Sequence, residues 1–204
     1  THLQLLDTEF DIPKLFKLKH LKLCGPLLRA NHIFTHPQLE TLELQQLKID
    51  DFSQLPNRWS ELTKLKTLKI KGITVSSLPE SLLRSTTLEE FHLCDCKLGT
   101  LDLRGAKSLR KVRLTGSTCE GQIHLPAELR KLYASQSPTA INSITWSTLT
   151  NLDCLWIQSC GLASLPEPVT ALISLRELSI AHNPINSTQG LSNLHNLNKI
   201  LAQE

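Results

Sequence analysis

Methionine is absent from this chain, tyrosine occurs once, and aromatic residues make up 4% of the total. A chain that begins at Thr1 without any Met reads as a processed or excised piece of a longer product. Its first residues lack the charged and apolar blocks of a secretion signal, which for an excised piece says little about the parent. No apolar run approaches the roughly 18 residues that a membrane-crossing helix needs. The eight glycines are scattered, with no phosphate-cradling loop and no Gly-x-Ser-x-Gly elbow. No Cys-x-x-Cys pair occurs. The six cysteines, Cys24, Cys94, Cys96, Cys119, Cys154 and Cys160, do not crowd the ends as terminal disulfide clamps would. Free thiols and a reducing, intracellular setting are the simpler expectation. The net charge of +3 is too mild to argue for a nucleic-acid partner by itself.

The chain is instead rich in one pattern, Leu-x-x-Leu-x-Leu. Clear copies are Leu39-Leu42-Leu44, Leu65-Leu68-Ile70, Leu88-Phe91-Leu93, Leu109-Val112-Leu114, Leu152-Leu155-Ile157 and Leu175-Leu178-Ile180. With the first leucine as position 1, units start at Leu18, Leu39, Leu65, Leu88, Leu109, Leu129, Leu152, Leu175 and Leu197. Their spacings are 21, 26, 23, 21, 20, 23, 23 and 22, and a partial copy at Leu3 and Leu5 precedes them. A repeat this short cannot bury its own apolar face, so neighbours must stack into a solenoid. Positions 4 and 6 alternate with polar residues, which predicts a short strand with one buried face. Leu-Pro pairs follow at Leu55-Pro56, Leu78-Pro79, Leu125-Pro126 and Leu165-Pro166. Apolar residues then fall three apart, as in Trp59-Leu62-Leu65, which predicts an outer helical or 3₁₀ turn. Trp59 and Trp146 occupy the place of Leu82 or Val169 and are expected in the outer core.

These motifs resemble the leucine-rich repeat family over essentially all 204 residues. The run Leu62-x-x-Leu65-x-x-Leu68-x-Ile70 with its later Leu-Pro is similar to repeats of intracellular plant immune receptors and some bacterial effectors. The resemblance implies an α/β solenoid, a single domain over 1–204. A parallel sheet lines its concave face, short helical turns cover its convex face, and proteins bind the concave side. The family's position 9 is typically Asn; here it is Thr8, Pro26, Leu47, Ile73, Cys96, Ser117, Ser137, Cys160 and Asn183. Leu47 and Ile73 cannot supply the missing hydrogen bonds, which predicts irregular turns near 45–57 and 71–78.

The search for chemistry ends mostly on structural readings. His32 and His36 are four apart but lack a Glu and a third ligand, and read as surface histidines on the convex side. His92, Cys94 and Cys96 alternate in direction along a strand and do not converge. Cys96, Cys119 and Cys160 fall at inward positions, where a free thiol behaves as a small hydrophobe. The chain is therefore expected to hold no metal or cofactor and to catalyse nothing itself.

The concave face is the remaining candidate. Position 5 forms the column Gln4, Lys22, Glu43, Lys69, His92, Arg113, Tyr133, Trp156, Ser179 and Leu201. Around Lys22, Glu43 and Lys69 the alternating charges predict a ladder of exposed ion pairs. Further along, Arg113, Tyr133 and Trp156 are consecutive, with Lys111 and Lys131 beside them and Arg110 and Arg130 one position earlier. Aromatics and arginine dominate binding hot spots. The expected partner-binding residues are Lys111, Arg113, Lys131, Tyr133, Trp156, His92 and Ser179. Glu89, Glu90, Asp95, Asp153 and Glu177 flank this patch and argue for a protein over a nucleic acid. No membrane or small-molecule partner is expected, and the chain is expected to be a monomer. Two other readings stay open: a targeting segment of a larger enzyme, such as a ubiquitin ligase or secreted bacterial effector, and a purely structural spacer.

Overall fold

The computed structural model describes residues 2–5, 17–25 and 30–202, of which 2–5 and 30–32 as backbone only. Ten parallel strands form one sheet whose spatial order follows the sequence. They are β1 (His2–Leu5), β2 (His20–Cys24), β3 (Thr41–Gln45), β4 (Thr67–Lys71) and β5 (Glu90–Cys94), then β6 (Lys111–Arg113), β7 (Lys131–Tyr133), β8 (Cys154–Trp156), β9 (Glu177–Ser179) and β10 (Lys199–Leu201). Alternation decides their faces. Leu21, Leu42, Leu68, Phe91, Val112, Leu132, Leu155 and Leu178 at position 4 are all buried, and lie opposite one another along the sheet. One apolar cluster runs from Leu18 to Leu194 behind the strands. This is an α/β leucine-rich repeat solenoid with the long sheet on its concave side.

The outer side varies from unit to unit. Trp59–Glu61 and Glu167–Ala171 are 3₁₀ turns, and Glu80–Leu83 and Pro138–Ser143 are short α-helices. The two units starting at Leu88 and Leu109 instead carry short strands, Lys97–Leu98, Leu101–Asp102, Thr118–Cys119 and Ile123–His124. Extended chain advances about 3.3 Å per residue against about 2 Å for a 3₁₀ turn. These two units are 21 and 20 residues long and cross the outer side in extended chain, whereas the 21-residue unit from Leu18 carries the 3₁₀ helix Ala30–Thr35. Trp59 and Trp146 are buried outer core, as expected. Trp59 packs between Phe34 (5.3 Å, edge-on) and Phe52 (5.2 Å).

Position 8 has a rule that the apolar pattern does not reveal. Gly25, Gln46, Gly72, Asp95, Gly116, Gln136, Ser159 and His182 all take a left-handed φ between 48° and 88°. The turn out of every described strand from β2 to β9 therefore has one geometry. The irregular turns expected at 45–57 and 71–78 are not found: Gln46 and Gly72 obey the same rule, because Leu47 and Ile73 simply join the core. The extra length of the 26-residue unit goes into two 3₁₀ turns, Phe52–Gln54 and Trp59–Glu61, rather than into the turn itself. The Asp51 carboxylate accepts from the Ser53 and Ser76 N–H groups, both at 2.8 Å, and fastens this longer loop to the next repeat. Thr8 and Pro26 lie outside the described residues.

A left-handed side chain costs roughly 1–2 kcal/mol that glycine avoids, partly offset by glycine's greater freedom when unfolded. Gln136 is exposed at φ 58°. Gln136→Gly is expected to raise the unfolding free energy by about 0.5 kcal/mol. A lower urea midpoint for this variant would count against the left-handed turn as a source of strain.

A second regularity lies at position 9. The Cys96 N–H donates to Ser117 Oγ (3.1 Å), the Ser117 N–H to Ser137 Oγ (3.1 Å), and the Cys160 N–H to Asn183 Oδ1 (2.8 Å). The Ile73 and Ser137 N–H groups face the sulfurs of Cys96 and Cys160. Each side chain also donates to carbonyls behind it, for example Ser117 Oγ to Leu93 O (3.0 Å). Five consecutive repeats are thus joined by a ladder of Cys, Ser, Ser, Cys and Asn, each reaching back one unit. Burial raises the Cys96 thiol to about 11, so it stays a neutral donor.

Candidate recognition surface

The register places the position-5 column in line. Lys22, Glu43, Lys69, His92, Arg113, Tyr133, Trp156, Ser179 and Leu201 are successive cross-strand partners. The column divides by chemistry into two regions.

The first region is a charge ladder. Lys22 pairs with Glu43 (2.6 Å), which also has Lys69 at 3.9 Å; Lys19 pairs with Glu40 (2.7 Å) and Lys71 with Asp95 (3.4 Å). Exposed pairs of this kind are worth about 0.2–1 kcal/mol each.

The second region is an interlocked aromatic cluster. The Tyr133 and Trp156 rings meet edge-to-face at 5.1 Å and 77°. The Arg113 guanidinium stacks 4.7 Å from the Tyr133 ring centre, and Lys111 Nζ lies 5.8 Å from it. Arg113, Tyr133 and Trp156 are each half-buried on adjacent strands, while Lys131 is exposed. The Trp156 Nε1–H donates to Glu177 Oε1 (2.9 Å), which Lys199 also holds (3.0 Å). The hydrogen bond from Lys199 keeps Glu177 below the usual carboxylate range despite partial burial. The Tyr133 hydroxyl lies near the buried Cys154 thiol. Burial, then the neighbouring Cys154, raises Tyr133 to about 12.

Two expected site residues change character. Ser179 is fully buried, and Gln158 from the turn after the preceding strand donates to its hydroxyl (2.5 Å). It cannot meet a partner and leaves the site. His92 keeps its place in the column, but only 12% of its side chain is exposed. Its Nε2 lies 3.2 Å from Glu90 Oε2 without the alignment of a hydrogen bond. Burial, then the positive charge of Lys111, lowers its pKa to about 4, so the ring is neutral near pH 7. His36, expected on the surface, is also fully buried, and His32's side chain lies outside the described residues. Glu177, expected only as a flanking acid, is bonded directly to the cluster, and Cys154 beside Tyr133 is the neighbour that sequence reasoning missed; it sits at position 3, the column of Lys111 and Lys131.

Beside the aromatic cluster, Glu89, Glu90, Arg110, Lys111, Arg130, Lys131 and Asp153 enclose a depression of about 350 Å³. Lys111 is tied to Glu90 (3.0 Å), and Arg130 lies 3.7 Å from Asp153. No helix among the described residues is long and apolar enough to cross a membrane.

No protein-family model matches the chain. Among curated proteins it is similar to an adenylate cyclase of Schizosaccharomyces pombe, 25% identical over 201 residues. That match spans 89% of this chain and 12% of the cyclase, so the chain covers only a small part of its relative's length. Among solved structures it resembles the leucine-rich repeat ectodomain of the Arabidopsis thaliana receptor kinase GASSHO1/SCHENGEN3, in complex with CASPARIAN STRIP INTEGRITY FACTOR 2. The TM-score is 0.56 and the identity 18%, covering 92% of this chain and 27% of the ectodomain. It also resembles TLR13 in complex with ssRNA13, with a TM-score of 0.60 and 16% identity over 93% of this chain and 33% of that one. At these identities the likeness establishes the leucine-rich repeat fold.

Proposed function

We propose that this chain is a non-catalytic recognition module, one solenoid domain that binds a protein partner on its concave face. The observation that carries this reading is the half-buried row Arg113, Tyr133 and Trp156 on adjacent strands. Large aromatic area held rigid by ring contacts loses little entropy on binding, which is how hot spots concentrate affinity. Lys111 and Lys131, with Arg110 and Arg130, add charge steering. The carboxylates Glu90, Asp153 and Glu177 around the patch repel a phosphate backbone, so a protein suits it better than the RNA seen with TLR13. All six cysteines are free thiols, which favours a reducing, intracellular setting.

A second reading rests on the match to 12% of an adenylate cyclase. In it the same surface is the targeting segment of a larger enzyme, as in a ubiquitin ligase or a secreted effector. Both readings place recognition on this face and leave catalysis elsewhere.

The test is affinity capture from a native lysate by the wild type beside the Arg113→Glu/Trp156→Ala variant, with partners identified by mass spectrometry. The expected result is a protein held by the wild type and lost by the variant, whose circular dichroism is unchanged. Equal capture by both sinks the site and redirects attention to the Lys22–Lys69 end.

A further inference from the structure

We infer that the patch is built for an acidic peptide segment, with a carboxylate seated between Arg113 and Lys131 and an adjacent apolar side chain on the Trp156 ring. This deepens the concave-face reading and rests on it. Charge balance on the concave strand positions is uneven. Lys22, Lys69, Lys71, Lys111 and Lys199 each have a carboxylate oxygen at 2.6–3.9 Å. Arg113 and Lys131 have none among the described residues, and neither donates a side-chain hydrogen bond there. Arg113 on β6 and Lys131 on β7 are diagonal neighbours in the register, Arg113 lying opposite Tyr133 and Lys131 opposite Lys111. Elsewhere the face meets its own charge; here it leaves a pair open.

The open pair is also oriented. Arg113 is half-buried and stacked 4.7 Å from the Tyr133 ring centre, so its planar fork is held before anything binds. A preorganised guanidinium favours two parallel hydrogen bonds to a carboxylate. The nearby acids cannot satisfy it, because Glu90 is held by Lys111, and Glu177 by Trp156 and Lys199.

The aromatic side chains limit the rest of the ligand. Trp156 already gives its N–H to Glu177, so its ring offers a partner apolar area only. The Tyr133 ring is packed between Arg113 and Trp156. A ligand that fits must bring the acceptor to Arg113 and Lys131 and apolar surface to the rings. An acidic residue next to a leucine-like or aromatic residue supplies both. A nucleic acid could bring phosphate and a stacking base, but its next phosphates would meet Glu90, Asp153 and Glu177.

The probes are an immobilised library of short random peptides and, in parallel, fluorescent oligouridylate. Selected peptides should carry Asp or Glu beside an apolar residue. Arg113→Gln and Lys131→Gln should each weaken a selected peptide about tenfold or more, the range for losing a charge-assisted hydrogen bond. Replacing the peptide's acid by its amide should do the same, whereas Lys22→Gln should leave affinity unchanged. Peptides that bind and depend on Trp156 but not on Arg113 or Lys131 overturn the acidic specificity and leave the concave-face reading standing. Peptides indifferent to all three residues, or no selection from the library, overturn both. Oligouridylate bound through Arg113, with no peptide selected, replaces the peptide by RNA.

Discussion

Asn183→Ala lowers the unfolding free energy by about 3 kcal/mol, the largest effect expected from a residue that is only half-buried. Asn183 Oδ1 accepts from the Cys160 N–H (2.8 Å) and the Leu162 N–H (3.2 Å). Its Nδ2 donates to Ile157 O and Ile180 O, both at 2.8 Å. Alanine leaves all four backbone groups without that partner, and each buried orphan costs about 1–3 kcal/mol. The total is expected below the sum of four such costs because Asn183 lines a cavity of about 750 Å³ where exposed groups can be rehydrated. The ladder explains why Ser, Cys and Asn are interchangeable in kind but not in strength. Ser137 accepts one N–H and gives its single proton to a carbonyl, while Asn183 serves two of each. Asn183→Ser should therefore recover only part of the loss. Because stability in a solenoid is carried between neighbouring repeats, the damage should concentrate at the C-terminal end. Urea denaturation gives the magnitude, and hydrogen exchange at Cys160 and Leu162 gives the location. A loss under about 1 kcal/mol would show that the ladder accompanies the fold without stabilising it.

The solenoid was legible because its two governing signals are local and repeated. Position 4 and position 6 leucines set the strand faces, and a constant period set the register. Every column-5 neighbour from Lys22 to Leu201 follows from that arithmetic. The left-handed position 8 was not legible, because glycine marks only Gly25, Gly72 and Gly116, while Gln46, Asp95, Gln136, Ser159 and His182 adopt the same φ unannounced. The turn's hydrogen bonds impose the geometry, and the residue tolerates it. Alternation also tells which face a side chain leaves from, not how far its neighbours reach. Ser179 leaves toward the concave side and is covered by a longer Gln158. The thiol of Cys154 shares Lys111's column but is covered by Tyr133, so size on adjacent strands decided which column members meet solvent. Aromatic rings thus announce a site and at the same time hide part of it.

The pH dependence of stability should carry the signature of His92. In the unfolded chain this histidine binds a proton near its ordinary 6.5; in the fold its pKa is about 4. Burial is the main cause. Lys111, Arg113 and Lys69 reinforce it, and Glu90 opposes it. Between these two values the unfolded chain binds more protons than the folded one, so stability rises with pH across the window. The contribution is fully present above about pH 6.5 and fades as the pH falls toward 4. At about 1.4 kcal/mol per unit, the full span is about 3 kcal/mol. The side chain is mostly shielded, so solvent does not erase the effect. His92→Gln removes the titration and keeps a polar side chain beside Glu90 and Arg113. The wild type should lose about 3 kcal/mol relative to this variant between pH 7 and 4. Carboxylates such as Glu177 begin to protonate at the acid end, but they titrate in both proteins and cancel in the difference. Parallel stability curves for the two proteins over this range would show that His92 is open to protonation in the fold. The neutral column that separates the charge ladder from Arg113 would then not exist, and the patch would lie in a continuous positive stripe from Lys69 to Lys131.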